Sequence, residues 1–106
     1  MRIRGHGNRI DENHKAIVKG LRQAGCRVVS LASVGNGCPD LLWGRAGRFG
    51  LLEVKGAKAR LSEPEEAFAA LWGDAVQTVR SLDEALIAVG LLPPAIDERD
   101  GEVPGA

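Results

Sequence analysis

Apolar residues recur along this chain in two rhythms, one with a period near 3.6 and one with a period of two. The switches between them predict seven elements. Ile10, Ile17, Leu21 and Ala24 fall on one helical stripe, with His14 among them and Val18 beside it. That helix starts near Asn8 or Asp11 and ends at Gly25. Arg27-Val28-Val29-Ser30-Leu31 is a β-branched run and reads as the first strand. Leu41-Leu42-Trp43 and Phe49-Gly50-Leu51-Leu52 flank the turn Gly44-Arg45-Ala46-Gly47-Arg48 and read as a hairpin. Ser62 and Glu65 form a capping box with Pro64 in the first turn, opening a helix whose core stripe is Phe68, Leu71, Trp72 and Ala75. Gly73-Asp74 ends it. Residues 75–79 read as a fourth strand, and Ser81 with Glu84 opens a last helix through Ala85, Leu86, Val89 and Leu91. The order is α-β-β-β-α-β-α, an α/β domain with a mixed central sheet and helices against it.

Composition narrows this to one small domain. A chain of 106 residues supports a single core, here assigned to residues 9–92. Residues 1–8 read as a flexible basic arm. The Pro-, Gly- and acid-rich stretch 93–106 reads as a disordered acidic tail. No apolar run approaches a membrane span, and the first residues lack the apolar segment of a secretory signal. Cytoplasmic location, with Cys26 and Cys38 reduced and packed as small hydrophobes, is the expectation.

The formal net charge of zero conceals a segregation. Residues 1–60 hold twelve basic groups against four acids, Asp11, Glu12, Asp40 and Glu53. The remaining residues carry the compensating acidic excess. A basic half whose few acids are candidate cation ligands suits a surface that binds phosphate around a metal.

Those acids stand in telling places. Asp40 opens the first apolar run of the hairpin, and Glu53 closes the second, thirteen positions on. A hairpin therefore brings both carboxylates to one end of the sheet. Alternation puts Glu53 and Lys55 on one face, within reach of Asp40, and Leu52 and Val54 on the other. Each carboxylate sits in an apolar run, where burial without a partner costs several kcal/mol. Two carboxylates beside an ammonium form a site for a hard divalent cation such as Mg²⁺ or Mn²⁺.

Pro39-Asp40, a spacer and Glu53-Val54-Lys55 resemble the PD-(D/E)XK nuclease superfamily. The flanking residues Gly35-Asn36-Gly37-Cys38, Leu41-Leu42, Leu51-Leu52, Gly56 and Arg60-Leu61-Ser62 are similar to the VRR-nuclease branch, the virus-type replication and repair nucleases, and to its small stand-alone phage members. The resemblance covers roughly residues 9–90. It implies a restriction-endonuclease-like fold in the same element order and a metal-dependent endonuclease, with Asp40, Glu53 and Lys55 catalytic. Asp40, Glu53 and the Val54 backbone carbonyl would hold the metal, joined by either Asp11 or Glu12 from the first helix. The family often carries Gln just inside the helix after the hairpin. Here Glu65 or Glu66 takes that place, a departure from the pattern. The implied partner is branched DNA such as a Holliday junction, cut by a homodimer, with Arg2, Arg4, Arg9, Lys58 and Arg60 as DNA contacts.

Other chemistries fit less well. A nuclease for flap, nicked or single-stranded DNA and a non-catalytic DNA-binding module with the same fold are the alternatives. His6, His14, Cys26 and Cys38 lack zinc-site spacing, and His14 reads as a core histidine. The glycine-rich loop 33–38 matches neither the P-loop nor the dinucleotide fingerprint, and no organic cofactor is expected.

Overall fold

The computed structural model describes residues 5–94, with side chains from Glu12 onward. The chain runs α1 (Gly5–Gln23), β1 (Arg27–Ser30), β2 (Leu41–Arg45), β3 (Arg48–Val54), α2 (Glu63–Trp72), a 3₁₀ turn (Gly73–Ala75), β4 (Val76–Val79) and α3 (Leu82–Ala88). This is the α-β-β-β-α-β-α order expected from the pattern. The four strands form one sheet in the order β1-β2-β3-β4. β1, β2 and β3 pair antiparallel, and β4 joins β3 in parallel after the α2 crossover.

Register explains the core. Val28 faces Trp43, and Leu41 faces Leu52, so one sheet face is a continuous apolar layer. Ile17 and Leu21 of α1, with Ala85 of α3 and Val89 at its end, close over it. Ile17, Leu21, Leu41 and Leu52 are fully buried. Arg45 reaches from the end of β2 to the carbonyl of Val89 at 2.9 Å, so a residue placed in the turn instead caps α3.

The β2–β3 connection is tighter than the five-residue turn expected. Gly44, Arg45 and Arg48 belong to the strands, and only Ala46 and Gly47 turn. Both have positive φ, 50° and 79°, the backbone of a type I′ hairpin whose twist matches the strands. Gly47 supplies the left-handed position at no steric cost.

Several expectations are corrected. α1 begins at Gly5, inside the stretch assigned to the arm, so Asp11 and Glu12 lie beyond its first turn. Ala24 is exposed, and His14 is half-buried in a groove with Lys15, Val18 and Ser30 instead of sitting in the core. β1 ends at Ser30, and β4 starts at Val76 because Gly73–Ala75 form the 3₁₀ turn. The largest departure is α2. Every one of its residues keeps exposed surface, with Leu71 at 85 % and Trp72 at 56 %, and Ala75 is exposed as well. Its stripe has the right period but does not meet the closed core: Phe68 and Trp72 line a cleft with Leu42, Phe49 and Leu51 on the open sheet face, and Leu71 stands in solvent. Residues 1–4 and 95–106, which include Arg2, Arg4 and most of the expected tail, lie outside the described residues, as do the side chains of Arg9 and Asp11. Among the described residues no helix is long and apolar enough to cross a membrane.

Candidate functional site

The hairpin sets the site. Pro39, fully buried, fixes the entry to β2, and the Leu31 N–H donates to the Asp40 carbonyl at 2.7 Å. That bond continues the β1–β2 ladder one step past the strands, so Asp40 is held where β2 begins. β3 brings Glu53 to the same end from the opposite direction. The Val54 N–H donates to the Asp40 carboxylate Oδ2 at 2.8 Å, tying the two halves of the motif together. Parallel pairing continues past the strand, with the Lys55 N–H donating to Val79 at 3.0 Å, so Lys55 too has a fixed backbone.

Glu53 is the unusual member. It is 4 % exposed, the one buried charged residue among the described residues, and its Oε1 has no hydrogen-bond partner among them. Burial, then the Asp40 charge and hydrogen bond, and then the Glu65 charge push its carboxyl up to about 8, while Lys55 pulls the other way. Two carboxylates and a third nearby are thus short of positive charge.

Lys55 does not settle that shortage. Its Nζ lies 3.8 Å from Glu53 Oε2 but 2.8 Å from Glu65 Oε1. The Glu65 hydrogen bond raises the lysine's pKa more than its own burial lowers it. Burial alone would raise Glu65, but the Lys55 hydrogen bond and the Ser62 N–H outweigh it and lower its pKa. Glu65 owes its position to the capping box: the Ser62 N–H donates to Glu65 Oε1 at 2.8 Å, and the Glu65 N–H donates to Ser62 Oγ at 3.3 Å. So the residue standing where the resemblance leads one to expect Gln is built into the site, whereas Glu66 is exposed.

Of the two candidate acids on the first helix, Asp11 has its side chain outside the described residues. Glu12 is exposed, and Asn13 turns toward the site, its Nδ2 donating to the Lys55 carbonyl at 3.4 Å. Asn13 was missed because a neutral amide between charged residues carries no motif signal. Arg80 was missed as well. It donates to the Gly56 and Ala59 carbonyls at 2.6 and 2.7 Å, pinning the basic connector on which Lys58 and Arg60 stand exposed. Beside it, Gly37 (φ +82°) packs so closely on the Pro64 carbonyl that no side chain fits between the loop and α2.

Cys26 is buried and Cys38 half-buried, both as free thiols. Among the described residues no group of three or more His, Cys, Asp or Glu side chains is arranged to hold a metal ion. The orphaned Glu53 oxygen beside Asp40 nevertheless fits one hard cation, since oxygen donors at an electrostatic deficit are what such ions select. No protein-family model, no curated protein and no solved structure matches the chain.

Proposed function

We propose that this chain is a metal-dependent DNA endonuclease of the PD-(D/E)XK type, in the VRR-nuclease branch, hydrolysing phosphodiester bonds in branched DNA. The observation that carries the reading is the convergence of Asp40, Glu53 and Lys55 at one end of the sheet, with a buried Glu53 oxygen awaiting a positive partner. Asp40, Glu53 and the Val54 carbonyl would hold Mg²⁺ or Mn²⁺. When bound, that ion supplies Lewis-acid polarisation of the scissile phosphate and activation of water.

The remaining chemistry belongs to the chain. Asp40, anchored through the Val54 N–H, keeps one carboxylate at a fixed position. Glu53 loses its proton to solvent and would then offer a carboxylate oxygen to the ion. Lys55, held at its backbone by Val79 and at its ammonium by Glu65, presents positive charge to the phosphate and orients the attacking water in line with the leaving oxygen. Exposed Lys58 and Arg60 on the Arg80-pinned connector meet the DNA backbone by charge.

A non-catalytic DNA-binding module is the second reading, favoured by the small number of carboxylates at the site. Both readings are tested by offering labelled four-way junction, flap, nicked, single-stranded and linear DNA with Mg²⁺ or Mn²⁺. Symmetric cuts near the junction crossover support the proposal. Cutting of the other substrates alone keeps the nuclease and discards the junction substrate. Salt-sensitive binding with no cutting of any DNA favours the module.

A further inference from the structure

The sheet face that α1 and α3 leave open carries a cleft of about 380 Å³, a volume common among sites that take small molecules. Its walls lead directly into the candidate site. Leu51 stands two residues before Glu53 on the same face of β3, and Cys38 stands two residues before Asp40. Leu31, whose N–H donates to the Asp40 carbonyl, forms a third wall. On α2, Phe68 and Trp72 follow Glu65 at spacings of three and seven. The residue that holds Lys55 and two aromatic rings therefore share one helical stripe, with Trp72 about 10 Å along the helix from Glu65. Cleft and candidate site are one surface.

The two ends of that surface differ in character. Phe68 and Trp72 stack with ring centroids 5.1 Å apart and planes 5° apart, and Trp72 keeps 56 % exposure, so together they form a flat, accessible ledge. The residues lining the cleft are uncharged. Lys55 stands at the other end, at the head of the basic connector that carries Lys58 and Arg60.

We infer that the cleft takes one unstacked nucleobase of the DNA strand whose phosphate lies at the candidate site. Charge complementarity selects this occupant. A nucleotide is divided as the surface is, into an anionic phosphate and an uncharged flat ring. With the phosphate against Lys55, a neighbouring ring reaches Leu51 and the Phe68–Trp72 ledge, where stacking holds a base of any sequence by its face. An apolar protein surface matches the cleft but brings no anion to its positive end.

The consequence is a requirement on the substrate. Bases within a duplex are covered on both faces by their neighbours, so the cleft takes a base only where stacking is broken. DNA with an unpaired base beside the bound phosphate is therefore preferred over continuous duplex. The inference rests on the nuclease reading for the position of the phosphate, and stacking in the cleft needs no cutting.

The test is binding in EDTA, which separates it from cleavage. End-labelled oligothymidylate, an abasic strand of equal length and a fully paired duplex are each titrated with the full chain by fluorescence anisotropy. Phe68→Ala and Trp72→Ala are measured beside Leu71→Ala, whose side chain stands off the cleft at 85 % exposure. Circular dichroism checks that each variant is folded. Either aromatic variant is expected to weaken oligothymidylate binding roughly five- to hundredfold, with duplex binding unchanged. Leu71→Ala is expected to alter neither. Removing the bases should cost the native chain a similar factor and cost Trp72→Ala much less, which tests the cleft without relying on a variant's fold. Equal losses on oligothymidylate and duplex overturn the inference, as does a native chain that binds the abasic strand as well as oligothymidylate. Shielding of Trp72 that rises with protein concentration and that oligothymidylate does not displace gives the cleft to a protein surface, and also overturns it. A chain that shows the aromatic-dependent preference but cuts no DNA with Mg²⁺ or Mn²⁺ keeps the cleft and loses the nuclease reading.

Discussion

The backbone N–H of Val54 donates to the carboxylate of Asp40 at 2.8 Å, across fourteen positions of sequence. This bond makes one site of two strand ends. It fixes where Asp40 points and leaves the neighbouring Glu53 buried beside it without a partner for Oε1 among the described residues. Asp40→Asn keeps the shape but loses the charge. It is expected to abolish cleavage while costing only about 1–2 kcal/mol of stability, since a charge-assisted bond becomes a neutral one. Chemical denaturation beside a cleavage assay checks both halves of the prediction.

Glu53 predicts a pH dependence. Its folded pKa of about 8 lies above the ordinary value of 4.5, so the unfolded chain ionises first as pH rises. Its contribution to stability is whole below pH 4.5 and is lost as pH climbs through 8. The metal-free protein is therefore expected to melt at progressively lower temperature across that window. Glu53→Gln should flatten the slope, and added Mg²⁺ or Mn²⁺ should raise the native chain's melting temperature most at the alkaline end. A melting curve of Glu53→Gln with the native slope would contradict the assignment.

Lys55 is expected to act in turnover more than in binding. Lys55→Ala should lower kcat by roughly 10²–10³-fold, the range for loss of a charge-stabilising donor, with DNA affinity little changed. Equal losses in kcat and affinity would make Lys55 a phosphate anchor only. Glu65→Ala should lower kcat less, because it frees the ammonium without removing it. It should also cost about 1 kcal/mol through the broken capping box.

Much of this was legible in sequence because it is local. The capping box at Ser62, the N-cap at Ser81, the period-two runs and the glycine-punctuated hairpin turn mark elements through short-range chemistry. The turn is nonetheless two residues long and not five, and Glu84 accepts from the Arg80 N–H in place of Ser81's. The meeting of Asp40 and Glu53 followed from hairpin arithmetic alone. What sequence could not give is which surface an apolar stripe faces. Phe68, Leu71 and Trp72 have the same period whether they meet a core, a bare sheet face or another molecule. That Lys55 lies closer to Glu65, at 2.8 Å, than to the nearer-in-sequence Glu53, at 3.8 Å, depends on how α2 docks. Asn13 and Arg80 act through backbone carbonyls, which leave no trace in residue identity.

That docking is itself testable at the loop. Gly35 and Gly37 share positive φ, but a side chain at Gly35 meets open space while one at Gly37 meets the Pro64 carbonyl. Gly37→Ala is expected to be the more destabilising of the two, and to lower activity by displacing α2 and with it Glu65. Equal effects in thermal melts would remove the loop–helix contact from the account.

The most direct test is cleavage of a labelled four-way junction by the native chain, Asp40→Asn and Glu53→Gln, each with Mg²⁺, with Mn²⁺ and with EDTA. The account predicts cutting by the native chain with either metal, none in EDTA, and none by either variant although both still bind DNA in a salt-sensitive way. Cutting in EDTA, or full activity in either variant, would contradict it.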